Sequence, residues 1–258
     1  MRVVLFANGR VGLESARFLA AREDTEVVAL VLHDDDAARE REAIRACLPA
    51  AELVDASRLR DEATATRLRE LAPELGVSAY FGHILRRPLL DVFPRGVVNL
   101  HPSFLPWNRG KHTNVWAIVD GTPAGATLHR IDATVDTGPL IAQRRLEVRP
   151  EDTAKSLYLR QEDACIDLLQ EAWPSLVDGT AVAKPQPPGG SFHRGAELAG
   201  LDRIDLDATY TGRELLDLLR ARTFPPHAGA WFEEDGRRVY VRVELTVDPG
   251  TDSSGGRS

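Results

Sequence analysis

Three side chains in the middle of the chain could together perform acyl-transfer chemistry. They are the amide of Asn99, the imidazole of His101 and the carboxylate of Asp136. A neutral imidazole can take a proton from an attacking amine, and an amide N–H or an imidazolium can stabilise the oxyanion of a tetrahedral intermediate. A carboxylate nearby can orient the imidazole and stabilise its charged form. The three residue types therefore indicate transfer of an acyl group to an amine.

The spacing of these residues favours a common position at the end of a strand. Asn99 and His101 are two residues apart, so their side chains share one face of an extended strand, which Pro102 then ends. Asp136 follows 35 residues after His101, just before Gly138, where a glycine lets the backbone turn the carboxylate back towards the site. A structural histidine and a turn-forming aspartate are the alternatives that spacing alone leaves open.

The longer motif resembles a known family. The segments NLHPSFLP at 99–106 and VDTG at 135–138 are similar to the signature of the N10-formyltetrahydrofolate-dependent formyltransferases, which include tRNA, ribonucleotide and nucleotide-sugar formyltransferases. The resemblance extends from Phe6 to about Leu245. It implies that Asn99, His101 and Asp136 are the catalytic residues. It also implies that N10-formyltetrahydrofolate donates the formyl group.

The resemblance further implies a folate site in the loop that begins at Gly82. The backbone of Ile84 and Leu85 would hold the pterin, with help from the segment Ile131–Asp136, which includes Asp132. Backbone groups at the end of a strand can hydrogen-bond a flat heterocycle. Ordinary core positions for Ile84 and Leu85, and a solvent-exposed loop position for Asp132, remain the alternatives.

The segment PWNRGKHTNVW at 106–116 resembles nucleotide-sugar N-formyltransferases in particular. On this interpretation Arg109 and Lys111 bind a pyrophosphate, while Trp107 and Asn108 contact a sugar. A solvated basic turn is the alternative. We therefore expect the acceptor to be a nucleotide-linked amino sugar, and dTDP is the nucleotide we expect. Another small amine such as hydroxyornithine, or a formyltetrahydrofolate deformylase that uses water as acceptor, remains an alternative.

Composition limits the expected partners. The 258 residues include 39 acidic and 32 basic residues, for a net charge of −7. Proteins that bind nucleic acid usually present a basic surface, so we expect no nucleic-acid partner. No apolar run approaches the ~20 residues that span a bilayer, and the N-terminus resembles a strand rather than a signal peptide. We therefore expect a cytoplasmic protein without a membrane partner.

The periodicity of the first hundred residues predicts alternating strands and helices. We expect strands at 2–7, 26–32, 77–82 and 97–100, and helices at 11–22, 35–48 and 61–71. Such alternation is typical of a parallel sheet with helices on both faces, in which active sites lie at the carboxyl ends of the strands. The predicted fold class is α/β, with a mostly parallel sheet covered by helices and a small α+β C-terminal subdomain; the resemblance implies that the core is of the Rossmann-like formyltransferase type.

The later part of the chain predicts a second, smaller unit. We expect strands at 126–131 and 140–146, a helix at 153–173 stopped by Pro174, a helix at 214–222, and a hairpin of strands 230–233 and 237–245. The predicted division is a catalytic domain at 1–183, a Pro/Gly linker at 184–190, a C-terminal subdomain at 191–247 and a disordered tail at 248–258. The exposed edge of the hairpin could pair in a homodimer.

Other classes of function receive less support from the sequence. A dinucleotide-binding dehydrogenase is disfavoured because FANGRVG at 6–12 is not a G-x-G-x-x-G motif. The histidines His83, His101, His112 and His129 have spacings that match no metal-site motif, so we expect no metal. A binding module without catalysis would not need the amide, the imidazole and the carboxylate together.

Overall fold

A computed structural model describes residues 1–248 of the chain, so all but the first residue of the predicted tail 248–258 lies outside the described residues. Within residues 1–248 the chain forms six α-helices and eleven strands. The helices are α1 Gly9–Ala20, α2 Arg41–Cys47, α3 Glu62–Glu70, α4 Thr113–Val119, α5 Ala154–Asp178 and α6 Gly212–Ala221. The strands are β1 Arg2–Ala7, β2 Glu26–Leu32, β3 Glu52–Asp55, β4 Leu75–Ala79, β5 Val97–His101, β6 Arg109–Gly110, β7 Ala124–Arg130, β8 Leu140–Leu146, β9 Phe192–His193, β10 Ala230–Glu234 and β11 Arg237–Val241.

A central sheet organises the described part of the chain. Seven strands follow the order β3-β2-β1-β4-β5-β7-β8. The first five strands in this order are all parallel to one another. Strand β7 runs antiparallel to β5, and β8 runs antiparallel to β7. The predicted mostly parallel α/β sheet is thereby confirmed. Because β4 and β5 are parallel neighbours, their carboxyl ends meet at one edge, where such folds place their ligands.

Both faces of this sheet are buried. Alternate side chains of β1 point to opposite faces, so Leu5 packs into a core that contains Trp173, whereas Phe6 packs into the other. The Phe6 ring lies 5.6 Å from that of Phe81 and 6.0 Å from that of Phe93, measured between centroids. Because side chains pack against both faces of the sheet, a cavity can open only at an edge, and the carboxyl edge is where we expect it. In residues 1–248 we find no helix with both the length and the apolar character needed to cross a membrane.

The helix expected to stop at Pro174 continues to Asp178, so that prediction was wrong. An interior proline removes one backbone hydrogen bond and crowds the carbonyl four residues earlier, but burial of the surrounding residues favours continuation of the helix. Trp173 and Leu176, on either side of the proline, are almost completely buried. The helix ends instead at Gly179, whose left-handed conformation, with φ at 80°, forms the C-cap.

The helix expected from residue 35 begins only at Arg41, so the predicted start was also wrong. The carboxylate of Asp35 accepts the backbone N–H of Ala37 at 3.0 Å, and that of Asp34 accepts the N–H of Ser57 at 3.0 Å. These side-chain bonds compete with the helix and hold the segment before Arg41 as a loop. Helix α4 was not predicted because nearly all of its residues are buried and it shows no amphipathic period.

The segment after helix α5 packs against the core. The backbone of Lys184 pairs with that of Leu140 through bonds of 2.7 and 2.8 Å, and β9 pairs in parallel with β6. Helix α6 begins with the predicted capping box, in which Thr211 and Glu214 cap each other's backbone N–H. Strands β10 and β11 form the expected hairpin, although β11 ends at Val241 rather than at 245. The division at 184–190 stays a prediction.

Candidate active site

The structure brings the three predicted catalytic side chains to one place. Asn99 and His101 lie on the last three residues of β5, and Asp136 lies on the loop between β7 and β8. The Nδ1 atom of His101 is 3.6 Å from Oδ2 of Asp136, and both side chains are largely buried. Asn99 joins them through a fourth residue, His129, whose Nε2 atom is 3.1 Å from Nδ2 of Asn99 and 3.7 Å from Oδ1 of Asp136.

The ring of His101 is held between two acceptors. Its Nε2 atom lies 3.2 Å from the backbone carbonyl of Asn108, and a carbonyl oxygen can only accept, so Nε2 carries a proton. Its Nδ1 atom faces the carboxylate of Asp136. A second proton, on Nδ1, would complete an ion pair with that carboxylate. A proton that reaches this pair during a reaction can therefore be held between Nδ1 of His101 and the Asp136 carboxylate.

His129 orients Asn99, and the sequence did not reveal this role. The Nδ1 atom of His129 donates a hydrogen bond to the backbone carbonyl of Arg130 at 2.8 Å. The Nε2 atom therefore carries no proton and accepts a hydrogen bond from Asn99. Burial, together with the nearby His101, lowers the pKa of His129 to about 4, so the ring is neutral near pH 7. Within the described residues, the second N–H of Asn99 has no protein partner. It is thus available to a ligand.

Hydrogen bonds and one close backbone approach hold the loop that carries Asp136. The N–H of Gly110 donates to Oδ2 of Asp136 at 2.9 Å. The Asp132 carboxylate accepts the Thr137 hydroxyl at 2.8 and 2.9 Å, which closes the loop on itself. A Cβ on Gly138 would lie 1.8 Å from the carbonyl oxygen of Arg130, so only glycine fits there.

A cavity of about 830 Å³ opens beside these residues. All four predicted folate residues line it: Gly82, Ile84, Leu85 and Asp132. Ile84 is 60% exposed, which is unusual for a large apolar side chain and places an apolar surface in the cavity. Lys111 also lines the cavity, as do Phe192, Arg194 and Arg222 from the C-terminal side.

The other predicted substrate residues lie elsewhere. Among the described residues, Trp107, Asn108 and Arg109 are not part of the cavity lining. The Asn108 side chain is buried, where its amide donates to the Thr122 hydroxyl at 2.8 Å and accepts the Ser191 hydroxyl at 3.0 Å. Asn108 contributes to the site through its backbone carbonyl, which lies beside Nε2 of His101. Direct contact of Trp107, Asn108 or Arg109 with substrate stays a prediction.

One further cluster has the composition of a metal site. His33, Asp35 and His83 place potential ligand atoms within 4.8 Å of one another. However, Nε2 of His33 accepts the backbone N–H of Gly82 at 3.1 Å, so Nδ1 carries the proton and faces Asp35 at 3.2 Å. Burial lowers the pKa of His33, which favours this neutral form. Both ring nitrogens are thus used, and the cluster holds the Gly82 loop in place rather than fitting a metal ion.

Comparison with known proteins gives two matches to family models. A model described as formyl transferase matches residues 1–172, and one described as N-formyltransferase dimerization C-terminal domain matches residues 197–247. A dTDP-4-amino-4,6-dideoxyglucose formyltransferase of Mycobacterium tuberculosis is 38% identical over 149 residues. That match covers 57% of this chain and 64% of the relative, which is less than two thirds of the relative's length.

Solved structures share the fold over nearly the whole chain. A 4-N formyltransferase from Francisella tularensis is 22% identical, with a TM-score of 0.84, and the match covers 96% of this chain and 98% of that one. An N-formyltransferase from Helicobacter canadensis, solved with folinic acid and dTDP-3-aminofucose, is 17% identical with a TM-score of 0.72. That match covers 92% of this chain and 85% of the other. At these identities the likeness establishes the fold alone.

Proposed function

Because this chain belongs to the formyl transferase family, we propose that it transfers the formyl group of N10-formyltetrahydrofolate to the amino group of a nucleotide-linked sugar. The observation that carries the proposal is the meeting of Asn99, His101 and Asp136 beside one large cavity. An amide donor and a proton-accepting pair at one point are what attack by an amine on a formyl group requires. No metal is needed for this chemistry.

The geometry divides the roles between the three residues. Both ring nitrogens of His101 face protein groups, whereas Asn99 has an N–H to offer, so Asn99 is the proposed oxyanion donor. The amine nitrogen bonds to the formyl carbon, and the carbonyl oxygen becomes negative. The amine's proton passes to the pair formed by His101 and Asp136. The bond from carbon to N10 then breaks, N10 takes a proton, and a formamide and tetrahydrofolate leave.

The cavity offers surfaces suited to both substrates. Ile84 and Val135, exposed at 60% and 37%, provide apolar contacts for a flat pterin. Lys111 and Arg194 provide positive charge, which a pyrophosphate needs in a chain whose net charge is −7. The Helicobacter canadensis relative holds folinic acid and a dTDP amino sugar, and the Mycobacterium tuberculosis relative is named for a dTDP-linked 4-amino sugar. We therefore propose a dTDP-linked 4-amino-4,6-dideoxy sugar as acceptor.

The test is an acceptor screen with N10-formyltetrahydrofolate as donor. We expect tetrahydrofolate to form only when dTDP-4-amino-4,6-dideoxyglucose is present, with the formylated sugar detected by mass spectrometry. Hydroxyornithine serves as the acceptor of the alternative function. Tetrahydrofolate and formate formed without any amine would identify a deformylase instead, and turnover with hydroxyornithine alone would contradict the sugar assignment.

A Lys111 variant separates the two substrates in the same assay. If Lys111 binds the pyrophosphate, Lys111→Met raises KM for the nucleotide sugar and leaves KM for the folate unchanged. The expected increase is on the order of tenfold, since charge-assisted bonds contribute about 1.5–3 kcal/mol each. Exposed Lys155, which lies outside the cavity lining in the described residues, gives the matched control Lys155→Met.

We also propose that two copies of this chain pair through the C-terminal hairpin. The region matches a dimerization domain, and Val239 and Tyr240 on β11 are 41% and 49% exposed. Exposed apolar side chains on a two-stranded sheet are a suitable dimer surface. Sedimentation velocity at micromolar concentration should give a dimer, and Tyr240→Glu should give a folded monomer, with Arg69→Glu, at an exposed position on α3 outside the hairpin, as control. A wild-type monomer would refute the pairing.

A cytoplasmic location and the absence of nucleic-acid and membrane partners stay predictions.

A further inference from the structure

Gln186 contacts the catalytic loop from a segment that the sequence predicted to be only a linker. Its side-chain Nε2 donates two hydrogen bonds, one to the backbone carbonyl of Asp136 at 2.8 Å and one to that of Gly138 at 2.9 Å. Gln186 comes 50 residues after Asp136 in the chain. A single amide thus joins two carbonyls on either side of the turn at residue 137.

The turn needs such a contact because its backbone is strained. Asp136 has a φ of 55°, in the left-handed region that is unfavourable for residues with a side chain. A residue holds this conformation only when the surrounding structure fixes it. The bond from the N–H of Gly110 holds the Asp136 carboxylate, whereas Gln186 holds the backbone of the same residue.

Gln186 is itself held from both sides. Two residues before it, the backbone of Lys184 pairs with Leu140 on β8. Five residues after it, the N–H of Ser191 donates to the carbonyl of Pro106 at 3.2 Å. The three prolines at 185, 187 and 188 restrict the backbone in between. The segment therefore acts as a rigid support for the loop.

The orientation of the amide is determined by its partners. If the amide were reversed, Oε1 would face two carbonyl oxygens, which cannot donate. In the orientation found, Oε1 is buried and has no partner within the described residues. A buried acceptor without a partner costs free energy, and the two donated bonds oppose that cost.

We propose that Gln186 is a positioning residue, whose amide holds residues 136–138 so that the Asp136 carboxylate faces His101. The proposal rests on the proposed function, in which Asp136 and His101 together accept the amine's proton. Gln186 touches neither His101 nor the Asp136 carboxylate in the described structure, and it is not among the residues that line the cavity. Its effect should therefore appear in kcat rather than in the binding of either substrate.

The test compares Gln186→Met and Gln186→Glu with the wild-type enzyme. Methionine keeps the length of the side chain without its donors, and glutamate places a carboxylate against two carbonyls. We expect kcat to fall about 10- to 100-fold, by analogy with the range found for side chains that orient metal ligands. We expect KM for the folate and for the amino sugar to stay within about twofold, because neither substrate touches the residue. Lys184→Ala, at an exposed side chain whose backbone pairing survives, is the matched control and should retain wild-type kcat.

Hydrogen–deuterium exchange of the unliganded enzyme supplies a readout that does not depend on turnover. We expect faster exchange over residues 132–138 in Gln186→Met, with unchanged exchange in the central sheet. If the wild type transfers no formyl group to any acceptor, the proposed function fails while the exchange result still tests the support of the loop. Wild-type kcat in both folded variants would overturn the positioning role. A rise in KM at constant kcat, or a loss of stability without a change in kcat, would also overturn it.

Discussion

Asp136→Asn is expected to lower kcat by about 10³- to 10⁴-fold in a protein that remains folded. The substitution preserves the size of the side chain and leaves an oxygen for the N–H of Gly110, but it removes the negative charge that faces Nδ1 of His101. Without that charge the imidazolium loses its partner, and the amine's proton loses its acceptor. The measurement is steady-state release of tetrahydrofolate, with a thermal melt to verify the fold.

The control for Asp136→Asn is Asp167→Asn, which removes a carboxylate paired with Arg144 on an exposed part of the surface. Such pairs contribute about 0–1 kcal/mol to stability, so the control variant should keep wild-type kcat. A value of kcat for Asp136→Asn within tenfold of the wild type would remove Asp136 from the mechanism. His101 would then need another partner for its charged form.

Most of the parallel half of the fold could be predicted because its signals are local, although β3 at Glu52–Asp55 was not predicted. Strands β1 and β2 were predicted with their observed bounds, since in each one a charged residue is followed by a continuous run of apolar residues. The placement of Asn99 and His101 also followed from local information. Two residues of spacing give one face of a strand, and a following proline ends it.

The contribution of His129 could not be predicted because it depends on antiparallel register. His129 lies opposite Asn99 only because β7 returns along β5 in one particular alignment. A strand of alternating residues at 126–131 does not reveal which residue of a distant strand it will face. The signal available was a histidine on a predicted strand that leads into the loop of Asp136.

The segments around residues 108 and 186 show a different limit of prediction from sequence. Residue types at 107–109 suit a ligand, yet the fold uses the Asn108 amide for internal bonds to Thr122 and Ser191. A Pro- and Gly-rich composition at 184–190 is typical of a linker, yet Gln186 bonds to the catalytic loop. Composition reports which backbone conformations are accessible. It does not report which surface the segment lies against.

Asn99→Ala is expected to lower kcat by about 10²- to 10³-fold, the effect of removing one oxyanion donor, or about 2.7–4 kcal/mol of barrier. The amide is half-buried and fixed by His129, so its N–H points at a defined position before substrate binds. Preorganised donors of this kind act on the charge that develops in the transition state. KM for both substrates should therefore change little, and steady-state kinetics will separate the two parameters.

Because His129 orients Asn99, the effects on kcat of substituting these two residues should be coupled. His129→Ala removes the acceptor and frees the amide to rotate, so it should lower kcat by a smaller factor than Asn99→Ala. In the double variant the loss should equal that of Asn99→Ala alone, because the contribution of His129 passes through the amide. Additive losses would mean that His129 acts separately, through its 3.7 Å approach to Asp136. Near-normal turnover of Asn99→Ala would show that another group holds the oxyanion, and the ring of His101 would then have to leave the Asn108 carbonyl to do so.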